Sequence, residues 1–272
     1  MSLDRLANCF EACRSENRAA LIGYLTAGDP DPEVSAQLLQ TLARHADIVE
    51  IGMPFSDPMA DGPVIQAASE RALAAGTTMK DVFRLASQTR KQSPAAGIVL
   101  MGYANVAYAM GYDAFACQAA LAGVDGVLLV DIPPEESAEV DAALAEHKLH
   151  SIRLVAPTSS EARRELAVRS AGGFIYYVSL TGITGAKMGE MEEINHQITR
   201  LRKQSDLPIC VGFGIKTPEQ ATKVAAFADG VVVGSQFVSQ ISEHFSDHCA
   251  MIEAMDGVAG EMRKAMQREN AG

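Results

Sequence analysis

No apolar run in the sequence approaches the roughly 18 residues that a membrane-spanning helix needs, and no basic-then-apolar leader precedes a cleavage site. A cytoplasmic location is therefore expected. Cysteine is sparse: the 5 in 272 residues, Cys9, Cys13, Cys117, Cys210 and Cys249, are odd in number and scattered. That argues against a disulfide framework and leaves them as small buried hydrophobes. Cys9 with Cys13, and His244 with His248, lie one helical turn apart, but neither pair has a second cluster or a motif such as H-E-x-x-H, so no metal site is expected. Positive charge is in deficit as well. The 23 Lys+Arg against 34 Asp+Glu give a net charge of -11, and the pI is near 5.0. Nucleic acid, which needs a basic face, is a poor partner for such a chain. A small phosphorylated ligand remains compatible, since backbone N–H groups bind phosphate without lysine. No linker, low-complexity segment or charge block marks a boundary, so one domain over residues 1–272 is expected.

The composition that remains, 48% hydrophobic and 21% charged, is that of an ordinary globular protein. Residues 2–16 read as an amphipathic helix with Leu3, Leu6, Ala7 and Phe10 on one stripe and Ser2 as a possible cap. Eight short β-rich runs follow, at 20–25, 47–51, 97–101, 126–130, 151–155, 174–178, 209–211 and 230–233. Helical patterns lie between them, at about 33–45, 64–75, 79–93, 113–122, 135–147, 160–171, 190–204 and 217–227, and a last helical region covers roughly 235–268. Strands separated by helices imply parallel pairing through right-handed crossovers. Eight of them in this length favour a closed (β/α)8 TIM barrel over an open sheet, and no G-x-G-x-x-G follows the first strand. The segment 1–17 would then be an N-terminal helix capping one end, with the barrel and C-terminal helices in 18–272.

In such a barrel the active site lies in the loops after the C-terminal ends of the strands. Loops rich in special residues stand there: Thr26-Ala27-Gly28-Asp29-Pro30, Tyr103-Ala104-Asn105, Asp131-Ile132-Pro133-Pro134 and Ala156-Pro157-Thr158. The segment from Ser179 to Gly189 is rich in Gly, Ser and Thr, as a lid over a site often is. Gly212-Phe213-Gly214-Ile215 after strand 7 and Gly234-Ser235 after strand 8 suit a phosphate site at a helix N-terminus.

The most unusual stretch runs from Asp47 to Pro63. Successive strand residues alternate faces, so Val49 and Ile51 share one face, and Ile48 and Glu50 the other. A glutamate aimed into a barrel interior has its pKa raised or has a dedicated partner, and a raised pKa suits proton transfer near pH 7. Asp61 ends a loop that could fold back over the same opening and stabilise positive charge developing there. Asp29 reads as a turn residue, Asp131 as either a turn or a pocket residue, and Glu135 and Glu136 as first-turn helix acids.

Glu50-Ile51-Gly52-Met53-Pro54-Phe55-Ser56-Asp57-Pro58-Met59-Ala60-Asp61-Gly62-Pro63-Val64-Ile65-Gln66 resembles the signature of the tryptophan synthase alpha subunit family. Supporting matches are Thr26 with Gly28-Asp29-Pro30, Tyr103-Ala104-Asn105, Ala156-Pro157-Thr158, Tyr176-Tyr177-Val178-Ser179, Thr181-Gly182-Ile183-Thr184-Gly185, Gly212-Phe213-Gly214-Ile215 and Gly234-Ser235, in family order from residue 20 to 235. The resemblance implies a lyase that splits indole-3-glycerol phosphate into indole and glyceraldehyde 3-phosphate. Glu50 would be its acid/base and Asp61 the group that holds the indole N–H. It also implies phosphate binding by backbone at Gly185, Gly214, Gly234 and Ser235, an indole pocket lined by Tyr24, Tyr176 and Phe213, a substrate contact at Tyr103, and a Thr184 hydroxyl that meets Asp61 when the lid closes. No cofactor is implied in this subunit. A pyridoxal-phosphate beta subunit is implied as partner in an alpha2-beta2 heterotetramer, with Asp57 on the loop facing it. Two positions depart from the family pattern: Leu180 stands where many members have arginine, and Val106 where many have proline. A different phosphate-binding barrel would share the Gly214 and Gly234-Ser235 features but leaves the Pro54–Pro63 loop unexplained, and a non-catalytic binding subunit leaves Glu50 and Asp61 unexplained.

Overall fold

The structure is a computed structural model and describes residues 4–178, 188–212 and 214–268. Its first half contains α1 (Arg5–Ser15), β1 (Ala20–Thr26), α2 (Pro32–Leu42), β2 (Ile48–Gly52), α3 (Pro63–Ala74), α4 (Met79–Gln92), β3 (Gly97–Gly102), α5 (Ala104–Met110), α6 (Tyr112–Leu121) and β4 (Gly126–Leu129). The second half contains α7 (Ala138–Glu146), β5 (His150–Ser151), β6 (Arg153–Val155), α8 (Glu161–Ser170), β7 (Ile175–Val178), α9 (Met188–Arg202), β8 (Ile209–Gly212), α10 (Pro218–Ala225), β9 (Gly230–Val233), α11 (Ser235–Glu243) and α12 (His248–Ala265).

All strand pairs are parallel, in the order β5-β4-β3-β2-β1-β9-β8-β7-β6. The two ends of that order, β5 and β6, are consecutive pieces of a single stretch around Ile152, whose N–H donates to Val127 O at 2.9 Å. The fifth strand read from sequence at 151–155 is thus divided: its first piece pairs with β4 and its second with β7. Through it the sheet comes round on itself as the (β/α)8 barrel.

The strands are buried on both faces, as parallel strands wrapped by helices must be. Val49 and Ile51 pack outward among the helices with Leu39, Leu42 and Ile98. Ile48, with Ile22, Val99, Leu128, Phe174 and Val232, points into the barrel. Leu6, Cys9, Phe10 and Cys13 of α1 join that interior cluster, so α1 plugs one end of the barrel. The cap of α1 is Asp4, which accepts the N–H of Ala7 at 3.0 Å, and Ser2 lies outside the described residues.

The plugged end carries a recurring device. Asp47, Asp125 and Asp229 stand just before β2, β4 and β9, and each grips the neighbouring strand twice. Their backbone N–H groups donate to Leu21, Ile98 and Ile209 carbonyls, and their carboxylates accept the N–H of those same residues at 2.9, 2.8 and 3.0 Å. Arginines from outside complete each grip: Arg18 and Arg263 on Asp47, Arg90 and Arg5 on Asp125, and Arg202 on Asp229. Closure is therefore secured at the end away from the strand C-termini.

Several local readings change. The loop expected after strand 3 is the start of α5, an alanine-rich helix stopped by Gly111 at φ +81°. Glu135 and Glu136 lie in a 3-10 turn before α7, and Glu135 pairs with Arg163 at 3.1 Å on the surface. Asp29 is more than a turn residue: its side chain is fully buried and takes both Nε and Nη2 of Arg71 at 2.7 Å, tying the loop after β1 to α3. Of the free cysteines, Cys9, Cys13 and Cys210 are buried as expected, whereas Cys117 is half-buried and Cys249 exposed. The last helical region is two helices, α11 and α12. Among the described residues no helix is long and apolar enough to cross a membrane, and no group of three or more His, Cys, Asp or Glu is placed to hold a metal.

Candidate active site

Strand alternation puts Glu50 of β2 inside the barrel, in register with Tyr24 of β1 on one side and Val99 of β3 on the other. It is 1% exposed, and neither carboxylate oxygen has a hydrogen-bond partner among the described residues. Loss of water, assisted by the negative charge of Asp61, pushes its pKa from 4.5 up to about 8. Near neutral pH such a group holds a proton and can give it away. The missing partner is informative, because a buried carboxylate kept for stability would be paired.

Asp61 reaches the same region from the loop after β2. Tyr103, at the end of β3, donates its hydroxyl to Asp61 Oδ2 at 2.9 Å and accepts the N–H of Ala60 at 3.0 Å. Gln66 of α3 donates to the Asp61 carbonyl at 2.8 Å. The loop is thereby folded back over the barrel mouth. Burial raises the pKa of Asp61, and the Tyr103 hydroxyl opposes that rise. Asp57 stands at the exposed tip of this loop, accepting from Ser56 Oγ at 2.6 Å, with Met59 83% exposed beside it.

Two tyrosines from opposite sides of the barrel reach toward Glu50. Burial, with the nearby charges of Glu50 and Asp61 adding to it, raises the pKa values of Tyr24 and Tyr176, so both phenols stay neutral. Each hydroxyl occupies space that a glycine leaves open. A Cβ on Gly52 would lie 2.1 Å from Tyr24 Oη, and one on Gly212 would lie 2.4 Å from Tyr176 Oη. Both glycines stand in motifs read from the sequence, but their part in making room for the tyrosines does not show there. Their signal was a glycine one turn of the pleat beyond an inward residue, which is visible only once the tyrosines are known to share the interior. Gly52→Ala should lower stability by about 1–3 kcal/mol through overpacking, read as a lowered urea midpoint at unchanged m-value.

Gly234 is the N-cap of α11, and its Cβ position lies 3.4 Å from Tyr24 Cβ, so the start of that helix sits beside the Glu50 neighbourhood. As a glycine, Gly234 offers no side-chain cap to α11, whose first residue is Ser235. Gly214 has φ +78°, a conformation that suits glycine and turns the chain after β8. Asp131 also finds a place: its Oδ1 accepts the Ala104 N–H at 2.7 Å, capping α5 from the end of β4. Glu50, Asp61, Tyr24, Tyr103, Tyr176, Gly234 and Ser235 thus gather at the mouth formed by the strand C-termini. Thr184, Gly185 and Phe213, with Leu180 and Lys187, lie outside the described residues.

The family model described as tryptophan synthase alpha chain matches residues 10–267. The tryptophan synthase alpha chain of Zymomonas mobilis is 48% identical over 265 residues, covering 97% of each chain. That of Geobacter sulfurreducens is 50% identical over 247 residues, covering 90% of this chain and 92% of the relative. Among solved structures, tryptophan synthase subunit alpha of Legionella pneumophila superposes with a TM-score of 0.90 at 42% identity, over 97% of this chain and 99% of that one. A buried glutamate beside a loop-borne aspartate in a (β/α)8 barrel, together with likeness at this level over nearly the whole length, places the chain in the tryptophan synthase alpha chain family.

Proposed function

We propose that this chain cleaves indole-3-glycerol phosphate to indole and glyceraldehyde 3-phosphate, with Glu50 as acid/base and Asp61 as the stabiliser of the protonated ring. The observation that carries the assignment of roles is the contrast between the two carboxylates. Glu50 is buried, without a hydrogen-bond partner among the described residues, and protonated near neutrality, while Asp61 has a hydrogen bond that favours its anion. The family reaction needs one group of each kind. Glu50 gives its proton to C3 of the indole ring, and the ring becomes a cation with charge on its nitrogen. Asp61 accepts the N–H and offsets that charge. The bond between C3 and the glycerol chain then breaks, its electron pair returning to the ring. The glycerol hydroxyl on the departing carbon becomes an aldehyde as its proton passes to the Glu50 carboxylate, which restores the acid and balances the cycle.

The phosphate would be held by backbone N–H groups at Gly214, Gly234, Ser235 and Gly185, the first three supported by the N-terminus of α11 and the positive φ of Gly214 after β8. Tyr24, Tyr176 and Phe213 would line the indole pocket, and Thr184 would meet Asp61. The chain needs no cofactor of its own. A pyridoxal-phosphate beta subunit, in an alpha2-beta2 assembly, would receive the indole, and the exposed loop with Asp57 suits contact with it. The chain would act as one domain over 1–272, in the cytoplasm. The test is indole release by the purified chain, alone and with a beta subunit: release in either condition is expected, and no release in both would overturn the assignment.

A further inference from the structure

Tyr103 does more than line the mouth of the barrel. It is 3% exposed, and its phenol oxygen serves two residues at once, accepting from Ala60 N–H and donating to Asp61 Oδ2. Its ring also stacks on Phe55, with centroids 5.1 Å apart and planes 27° apart. Phe55 opens the loop and Ala60-Asp61 closes it, so one side chain holds both ends of the segment between them. Tyr103 is itself fixed from below: it is the N-cap of α5, and the following N–H, of Ala104, is held by Asp131. A path of direct contacts runs from β4 through Asp131 and the α5 N-terminus to the phenol, and from the phenol to Asp61.

The orientation of the donated hydrogen bond matters. A carboxylate on a loop can rotate, and rotation spreads its charge away from the place where the ring nitrogen must lie. The phenol occupies Oδ2, and among the described residues no hydrogen bond is made to Oδ1. We propose that Tyr103 is a positioning residue for the cleavage: its hydroxyl, anchored on Ala60 N–H, fixes Asp61 through Oδ2 and presents Oδ1 to the indole N–H. This rests on the assignment of Asp61 as the group that meets the ring nitrogen. The hydroxyl also favours the Asp61 anion against its burial, so its loss should make that carboxylate harder to ionise.

Tyr103→Phe keeps the ring and the Phe55 stack and deletes only the hydroxyl. Steady-state indole release should show kcat lowered about tenfold or more, with KM changed by less than about threefold. The acid limb of the kcat profile should move to higher pH, because Asp61 then ionises later. In an Asp61→Asn background, single-turnover cleavage should be changed less than about twofold by the same substitution, since the hydroxyl acts through the charge that is already absent. Thermal melting of the variant checks that the substitution leaves the fold intact. A variant with kcat within twofold of the parent and an unmoved acid limb overturns the proposal, as does an equal loss of rate in the Asp61→Asn background. Absence of indole release by the unsubstituted protein is a separate result, which overturns the functional assignment itself.

Discussion

Glu50→Gln is expected to lower kcat for indole release by about 10³-fold, within the usual contribution of a positioned acid/base, and to make the protein more stable above pH 8. The substitution keeps the shape of the side chain and removes only its ability to move a proton, so the barrel interior of Ile48, Val99 and Leu128 is left undisturbed. The stability effect follows from the direction of the shift. Burial and the Asp61 charge hold the Glu50 carboxyl at about 8 in the folded chain, against 4.5 for the ordinary group. Between those values the folded state binds a proton that the unfolded state has released, so stability falls as pH rises. The contribution is fully present below about 4.5 and is lost as pH passes through about 8. Glutamine has no such dependence. The variant should match the parent near pH 5 and exceed it at pH 9 by on the order of 3 kcal/mol, read from urea unfolding at the two pH values. The same ionisation sets a basic limb near pH 8 in kcat/KM of the parent, since Glu50 must carry its proton into the reaction. Near-normal turnover by Glu50→Gln would remove Glu50 from the chemistry.

Asp61→Asn is expected to cost about 10²–10³-fold in kcat and to shift that basic limb. Asparagine can still accept the indole N–H, but it brings no negative charge to the ring cation, and charge is the part of the interaction that grows as the bond breaks. A second effect travels to Glu50. The Asp61 anion is one of the two causes that raise the Glu50 pKa, and its removal lets that carboxyl ionise more readily. The basic limb should therefore move to lower pH in the variant. The two readings are independent, because a residue that only filled space would leave the pH profile unmoved. Full activity with an unshifted limb would separate Asp61 from both roles.

The barrel was legible because its signals are periodic. Apolar runs alternating with helical patterns fix the order of elements, and the two-residue period of β2 places Glu50 inside before any coordinate is known. The division of the fifth strand was not legible, since nothing local to Ser151-Ile152-Arg153 says that its two pieces bond to different neighbours. The helix α5 was hidden because its cap comes from Asp131, some 27 positions along the chain. Asp29 looked like a turn residue for the same reason: Arg71, its partner, is 42 residues away. Within the site, residue types announced the chemistry of Glu50 and Asp61. The contact that aims Asp61, from Tyr103, and the fit of Tyr24 over Gly52 exist only where separate elements meet.

The Tyr24 and Gly52 contact also constrains the order in which this pocket could be remodelled. A side chain added at position 52 while the tyrosine is present must displace its ring. Loss of the hydroxyl alone does not make room, because Cζ would still stand 2.6 Å from the new Cβ. With a shorter residue in place of the ring, the glycine can grow without that displacement. Gly212 under Tyr176 is more tightly held, because Val232 Cβ at 2.8 Å stands there as well as Tyr176 Cζ at 2.9 Å, so a shorter residue at 176 does not by itself make room. A library that varies position 52 alone would return destabilised members, whereas one that shortens 24 beforehand opens a route to a differently shaped substrate pocket.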